Sequence, residues 1–235
     1  MVNKFGESYG DLLLDIQMGA ISGASIVHVF GANPAVGTSF TPVWDVGGAY
    51  TFLSAAEILN VRSDDAADAG FGAKITYLNS AWEVVVDELT LVSELVDVTT
   101  TQTAIRVISV ENNNGTDYTG TVTVKNAANT ITLAAALPAN QASSMAIYSI
   151  PAGHTGYLFH GATNAGKGKD AQITMQVRVF GEVFKTAEYI SLYETSVEAS
   201  RPFVPLPEKS DIVVNAQSDL PAYVSTKFSI ILLRN

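Results

Sequence analysis

Ile173-Thr174-Met175-Gln176-Val177-Arg178-Val179 puts an apolar side chain at every second position and a polar one between. A period of two is the mark of a strand with one face buried and one wet. The segment lies inside a longer stretch, Met145 to Asn235. That stretch opens Met145-Ala-Ile-Tyr-Ser-Ile-Pro-Ala-Gly-His-Thr-Gly-Tyr-Leu-Phe159, and its last apolar run is Val224-Ser-Thr-Lys-Phe-Ser-Ile-Ile-Leu-Leu233. Short apolar-polar runs broken by Gly, Pro and Asn make this half of the chain a β scaffold.

The preceding half reads the same way. Ser25 to Phe30 is expected as a strand, and Gly31-Ala32-Asn33-Pro34 as a turn. In Phe40 to Tyr50, Trp44 and Tyr50 bracket the pair Gly47-Gly48, where the backbone is free to bend sharply. Glu57 to Arg62 and Ala73 to Leu78 read as strands around the acidic loop Ser63-Asp-Asp-Ala-Ala-Asp-Ala-Gly70, and Trp82 to Val92 as a strand bulged near Asp87. The strongest local pattern is a hairpin of Ala104 to Val110 and Tyr118 to Val124, turning at Asn114-Gly115. Asn126 to Asn129 turns again into Thr130 to Leu133. No segment beyond about ten residues sustains a helical apolar period. The fold class is therefore all-β: an antiparallel β-sandwich, jelly-roll-like, with an extended N-terminal arm. The arm is residues 1–24 and the body residues 25–235, with a subdivision near residue 144 as the alternative.

Composition narrows the function classes. A net charge of −10 argues against general affinity for nucleic acid, whose binders neutralise phosphates with Lys and Arg. Zero cysteines exclude disulfides, thiol catalysis and thiolate metal sites. No run approaches the roughly 20 apolar residues that cross a bilayer, so no membrane partner is expected. The start, Met1-Val-Asn-Lys-Phe-Gly-Glu7, lacks the pattern of a signal peptide.

No reactive set is expected. Gly161-Ala-Thr-Asn-Ala-Gly-Lys-Gly168 nearly spells a phosphate-binding loop, but Gly168 stands where the magnesium-binding hydroxyl belongs, and a strand follows where a helix is needed. It is expected as an exposed loop. His154 and His160 are six residues apart, a spacing that puts both on one face of a strand, where a subunit axis could share a metal between copies. Ordinary histidines, His28 included, are the plainer reading. Asp64, Asp65 and Asp68 do not follow the calcium-loop spacing and read as a solvated turn. Glu94 with Asp97, and Glu194 with Glu198, are carboxylate pairs that a wet sheet face explains equally well. Catalytic residues, metal ligands and cofactors are accordingly none. The arm carries Phe5, Leu12, Leu13, Leu14 and Ile16 among glycines that weaken a helix, so these side chains are the expected contacts to a neighbouring subunit or to another protein surface.

Several stretches together resemble a family of virion-associated β proteins of tailed bacteriophages. They are Val43-Trp-Asp-Val-Gly-Gly-Ala-Tyr50, the Ser63–Gly70 loop with Ala73-Lys-Ile-Thr76, Met145 to Leu158, Leu206-Pro-Glu-Lys-Ser-Asp-Ile212, and Val224 to Leu232. Residues 1–42 lie outside the resemblance, and Phe71 stands where a small residue is expected. The resemblance implies a non-enzymatic structural protein of the virion, assembled in the host cytoplasm: a head decoration or cement protein, a homotrimer contacting the major capsid protein. A head fibre, tail or baseplate component is the second reading. A carbohydrate-binding or depolymerising jelly-roll module is the rival from another class. That rival requires aromatic side chains, with Tyr148, Tyr157, Tyr189 and Tyr193 the candidates, to meet paired carboxylates on one concave face.

Overall fold

The structure, a computed structural model, describes residues 12–166, 169–193 and 197–235, and for residues 197–203 the backbone alone. One short helix, α1 (Leu12–Gln17), precedes the strands. These are β1 (Ala24–Val36), β2 (Thr41–Pro42), β3 (Asn60–Ser63), β4 (Gly72–Asn79), β5 (Val84–Thr90), β6 (Val98–Thr99), β7 (Ala104–Asn112) and β8 (Val122–Lys125). They continue as β9 (Thr132–Ala136), β10 (Ile147–Ser149), β11 (His154–Ala165), β12 (Asp170–Val179), β13 (Lys185–Tyr193), β14 (Val197–Leu206), β15 (Ser210–Gln217) and β16 (Ala222–Arg234). Among the described residues all pair antiparallel, in four sheets: β1-β16-β11-β14, β10-β15-β12-β13 with β2 beside β15, β6-β3-β8-β9, and β5-β4-β7. The chain is an all-β protein of antiparallel sheets.

The period-two pattern builds the body from the first two sheets. On β16, Val224, Phe228, Ile230 and Leu232 point inward, and Ile173, Ile212, Val214 and Ala216 meet them from the second sheet. The second sheet is covered on its other side too. Ile147 and Val213 belong to a second core, together with Val61, Ile75, Tyr77, Val107 and Leu133 of the two remaining sheets. Strands β10 and β15 are therefore buried on both faces, which explains the unbroken apolar run Ile212-Val213-Val214.

The second core is an insertion. The chain leaves the body after Val43 and re-enters at Ala146. Val43 N–H donates to Val214 O at 2.8 Å and Ala146 N–H to Val43 O at 2.8 Å, while Trp44 and Met145 form a bridge one residue further out. Side chains alternate across this double crossing, so Val43 and Ala146 enter the body's core, and Trp44 and Met145 the insert's. Gly47 and Gly48 take positive φ of 70° and 68° just past it, the bend the sequence predicts.

Several sequence expectations are corrected. Gly31 to Pro34 is not a turn, because β1 runs through it, and the register shift between Asn33 and Val36 accommodates Pro34 on an edge strand. Ala104–Val110 and Tyr118–Val124 are not a hairpin: β7 pairs with β4, and β8 with β3 and β9, in different sheets. Asn114 instead clamps Gly72 as a strand would, accepting from its N–H at 2.8 Å and donating to its carbonyl at 2.9 Å. No bulge interrupts the pairing of β5 with β4. Asp87 simply faces inward, and its carboxylate accepts from Tyr77 Oη, Thr101 N–H and Thr101 Oγ1 at 3.0, 2.7 and 2.8 Å. Val84 and Val86 face water. Residues 161–165 are no loop but the end of β11, paired with β16 throughout and with β14 as far as Thr163, while Lys167 and Gly168 lie outside the described residues. The Asn126–Asn129 turn stands, with Asn129 at φ 58° and Asn126 Oδ1 accepting from Thr130 and Ile131 N–H.

Candidate functional site

The densest polar chemistry lies where the insert meets the body. Arg106 on β7 faces Asp211 on β15 side-on, with Nε 2.7 Å from Oδ1 and Nη2 2.8 Å from Oδ2. Arg106 Nη1 donates to the carbonyls of Leu53 and Ile105 at 2.8 and 2.7 Å. Asp211 also accepts from Ser149 Oγ at 2.6 Å and Arg178 Nε at 3.0 Å, so three strands of the second sheet and one of the insert converge on a single carboxylate. Aromatic rings enclose the two guanidiniums: Trp82, Phe52 and Phe180 around Arg106 at 5.0–5.4 Å, Phe52 and Phe184 around Arg178 at 4.8 and 4.3 Å. Arg106 and Asp211 are 3% and 0% exposed. A carboxylate so occupied and so dry has no lone pair left for a substrate, and the cluster is a strut that fixes the insert's orientation.

A different arrangement surrounds Asp45, just past the crossing. A groove of about 540 Å³ runs between β1 and the 137–144 segment, flanked by Phe30, Pro34, Leu137 and Tyr223, with Asp45 and Ser144 in its wall. Asp45 Oδ2 accepts from Ser144 N–H at 2.9 Å, but Oδ1 has no partner, nor has Ser144 Oγ, although the two residues are only 8% and 5% exposed. Burial pushes the Asp45 carboxyl up to about 6, against the backbone N–H groups that pull it down. The folded value lies above the unfolded one, so the folded state holds the proton between about pH 4 and about pH 6, and stability falls as pH rises through that window. Asp45→Asn is accordingly expected to stabilise the protein at pH 8 by up to about 3 kcal/mol and to change little at pH 4. Urea titrations at both pH values check this; a difference independent of pH would contradict it.

The other predicted groups are dispersed. A register shift between Leu158 and His160 turns His154 and His160 to opposite faces of β11, correcting their expected alignment. It also sets His160 across Ser229 from His28, whose Nδ1 is 2.9 Å from Ser229 Oγ. Ser229 sits mid-strand with β1 and β11 on its two sides, a setting whose ladders occupy the backbone N–H groups that an oxyanion hole would require. Among the described residues no three His, Asp or Glu side chains are placed to hold a metal. The acidic loop is the expected solvated turn at Asp64, Ala66 and Ala67, with Asp65 Oδ1 accepting locally from Ala67 N–H, but not at Asp68. Asp68 is fully buried and accepts from Ser63 Oγ, Thr119 N–H and Gly120 N–H at 2.5, 2.7 and 3.0 Å, pinning the crossover from β7 to β8. Asp97 is held by Arg62 at 3.5 Å and Asn129 at 2.7 Å, and Glu94 is exposed. Glu194 and the side chain of Glu198 lie outside the described residues.

Of the four tyrosines, Tyr148 is in the body's core, and Tyr157 lies with Ile231 and Leu233 under α1. Tyr189 and Tyr193 are exposed on β13, an edge strand. Beside Tyr193, a recess of about 160 Å³ is bordered by Asp170, Gln172, Gln217 and Asp219. Of the arm residues, Ile16 is 4% exposed and docks on the outer face of β16, against its own chain, whereas Leu12 and Leu14 are half exposed. Leu13 is partly buried, and Phe5 lies outside the described residues. Arg106, Asp211 and Asp45 are not among the residues the sequence singles out, and nothing in the neighbourhoods of the two aspartates marks a buried charge. The signal for Arg106 was its place within the apolar run Ala104-Ile-Arg-Val107.

No protein-family model matches the chain, and no curated protein does. Among solved structures, T=1 particles derived from infectious bursal virus align over 91% of this chain and 74% of theirs, at 10% identity and a TM-score of 0.19. The infectious bursal disease virus Gt strain aligns over 95% and 83%, at 9% identity and a TM-score of 0.17. Scores this low carry no argument about fold or function.

Proposed function

We propose that the chain is a non-enzymatic structural protein of a tailed-phage virion, a homotrimeric head decoration protein seated on the major capsid protein, and that its body is a jelly roll. The observation that supports this best is the winding of eight strands. Counted along the body as β1 and then β10 to β16, the first pairs with the last, the second with the seventh, the third with the sixth and the fourth with the fifth. Further pairings, β16 with β11 and β15 with β12, join these ribbons into two facing sheets. That is the order in which a folded ribbon rolls into a jelly roll, an architecture that hosts capsid and lectin domains. The step from winding to role is a fold-level analogy, and the resemblance in sequence is what favours the virion over other uses. The edge strands β13 and β14 offer unpaired backbone that a neighbouring copy would cover.

Two measurements test the reading. Light scattering on the purified chain is expected to give three times the 24.9 kDa chain mass; a clean monomer at micromolar concentration contradicts the trimer. An electron-microscopy map of the intact particle is expected to show the body on the outer shell at points of threefold character. Density in the tail, baseplate or a head fibre would move the role there, and absence from the particle would overturn it. The sugar-binding reading has one feature in its favour, the Tyr193 recess. At about 160 Å³ it falls below the roughly 300–1,000 Å³ of ordinary ligand pockets.

A further inference from the structure

From the outward-turned backbone of its free edge, we infer that β5 is a docking strand for an extended, basic segment of a partner protein with β-branched side chains at alternate positions. β5 ends its sheet and pairs with β4 alone. At the two ends of that ladder, Asn79 N–H donates to Glu83 O at 2.9 Å and Leu91 N–H to Phe71 O at 2.8 Å. Bonded and unbonded pairs alternate in an antiparallel ladder, so the unbroken register between these ends gives the bonds to Val85, Asp87 and Leu89. Val84, Val86 and Glu88 turn their N–H and carbonyl groups away from β4. Among the described residues none of these groups has a partner. All three residues are exposed, the two valines by half. Thr101 closes the inner side of the strand, where its N–H and Oγ1 hold Asp87.

Edges that stay single are guarded by Pro, Lys, a bulge or short length. β1 has Pro34 and a register shift, and β13 has Lys185 and another shift. β5 is seven residues long, has neither Pro nor Lys, and keeps one register throughout. Its inward charge, Asp87, is already matched by Tyr77 and Thr101. An added strand would gain ladder hydrogen bonds at Val84, Val86 and Glu88. Its own side chains, at the same two-residue spacing, would pack on the two valines.

Charge selects the partner. Between Trp44 and Met145 the chain has twelve Asp and Glu against four Lys and Arg, so eight of its ten net negative charges lie on the insert. Lys74, across the ladder from Glu88, is held by Glu111 at 3.2 Å, which leaves Glu88 without an ion pair among the described residues. A lysine or arginine on the added strand, two positions from a residue packed on Val86, would face Glu88. A second copy of β5 fits badly. The antiparallel register that sets Val84 against Val86 also sets Glu83 against Asp87, and two acidic inserts repel each other. This surface goes beyond the virion reading and stands without it.

The test uses the whole chain and a fluorescein-labelled, amide-capped peptide, Thr-Lys-Thr-Val-Thr-Val-Thr. In antiparallel register its Lys and two Val fall opposite Glu88, Val86 and Val84. Anisotropy is expected to rise saturably, and hydrogen exchange to slow over residues 84–90 but not over 185–193. Methylating the backbone nitrogens of the Lys and the two Val removes the donors aimed at β5, and affinity should fall about tenfold or more. A peptide with Glu in place of Lys should lose a similar factor, and added salt should weaken the parent peptide. Val86→Pro removes an N–H that β4 does not use, so it should abolish binding with the circular dichroism spectrum unchanged. Should that variant fail to fold, the methylated peptide decides alone in the unaltered chain. Equal affinity of the methylated peptide overturns strand addition, and equal affinity of the Glu peptide overturns the basic partner. Protection over residues 185–193 in place of 84–90 overturns the proposal, as does no binding of millimolar peptide. So does a light-scattering mass that falls on Val86→Lys without peptide, since a second copy would then hold the edge.

Discussion

Asp211→Ala is expected to destabilise the protein by about 3–5 kcal/mol, the range for removing one partner of a buried charge cluster. The substitution takes away a single carboxylate and leaves two guanidiniums facing each other. Arg178 is able to turn toward water, its side chain being 21% exposed, but Arg106, at 2%, is not. The rings of Trp82, Phe52 and Phe180 soften an unpaired cation without replacing a bidentate carboxylate. Urea denaturation of the variant measures the loss. The double change Arg106→Met with Asp211→Leu is expected to recover a large part of it, because the strut then becomes apolar packing between the two modules. A single-variant loss below about 1 kcal/mol would mean that the junction is not held by this cluster.

The second large effect is expected at Gly31→Ala. A Cβ built on Gly31 lies 2.1 Å from Ala146 N, 2.4 Å from Val43 O and 2.7 Å from Ala146 Cβ. Those first two atoms are joined to each other by the hydrogen bond that closes the crossing between body and insert. A methyl group there collides with backbone on both sides, where no rotamer change gives relief, and a loss of about 3 kcal/mol or more follows. Hydrogen exchange at the Ala146 amide should accelerate, since its carbonyl partner is pushed away. Gly161→Ala is the control: the nearest atom to its built Cβ is Lys227 O at 3.8 Å, and its effect should stay within about 0.5 kcal/mol. Equal effects at the two glycines would refute the steric account.

What the sequence discloses and what it hides divide along physical lines. Ile173 to Val179 and Val224 to Leu232 declare their strands because one face is core, and the pleat converts that into period two. The opening of the insert after Val43 leaves no mark in the sequence, since an exit from one core straight into another needs no linker and no polar stretch. Asn114-Gly115 misleads for a related reason. Turn residues report a local bend, whereas the pairing of β7 and β8 with different strands is decided by packing far along the chain. Asp68 reads as surface because carboxylates usually are, and Asp87 as a bulge, yet each is paired by donors from segments distant in sequence, Thr119 and Gly120 for one and Thr101 for the other. The Gly161–Ala165 stretch looks like a loop from its small residues, and it is a strand because β16 holds it throughout and β14 as far as Thr163.

The double crossing at Val43 and Ala146 gives the molecule a single doorway. Everything between these residues enters and leaves through one hydrogen-bonded pair of peptides, so the ends of the insert are already as close as the ends of a tight turn. Closing the body without its insert would therefore demand almost no loop entropy. Such a port invites exchange: another module, spliced between the same two residues, would leave the pairing order of the body untouched. The constraint lies on the newcomer's underside. It would have to shelter Ile147 and Val213 from water and bring a second cation to Asp211 beside Arg178, or the body it joined would carry an uncovered apolar patch with a half-satisfied carboxylate in it.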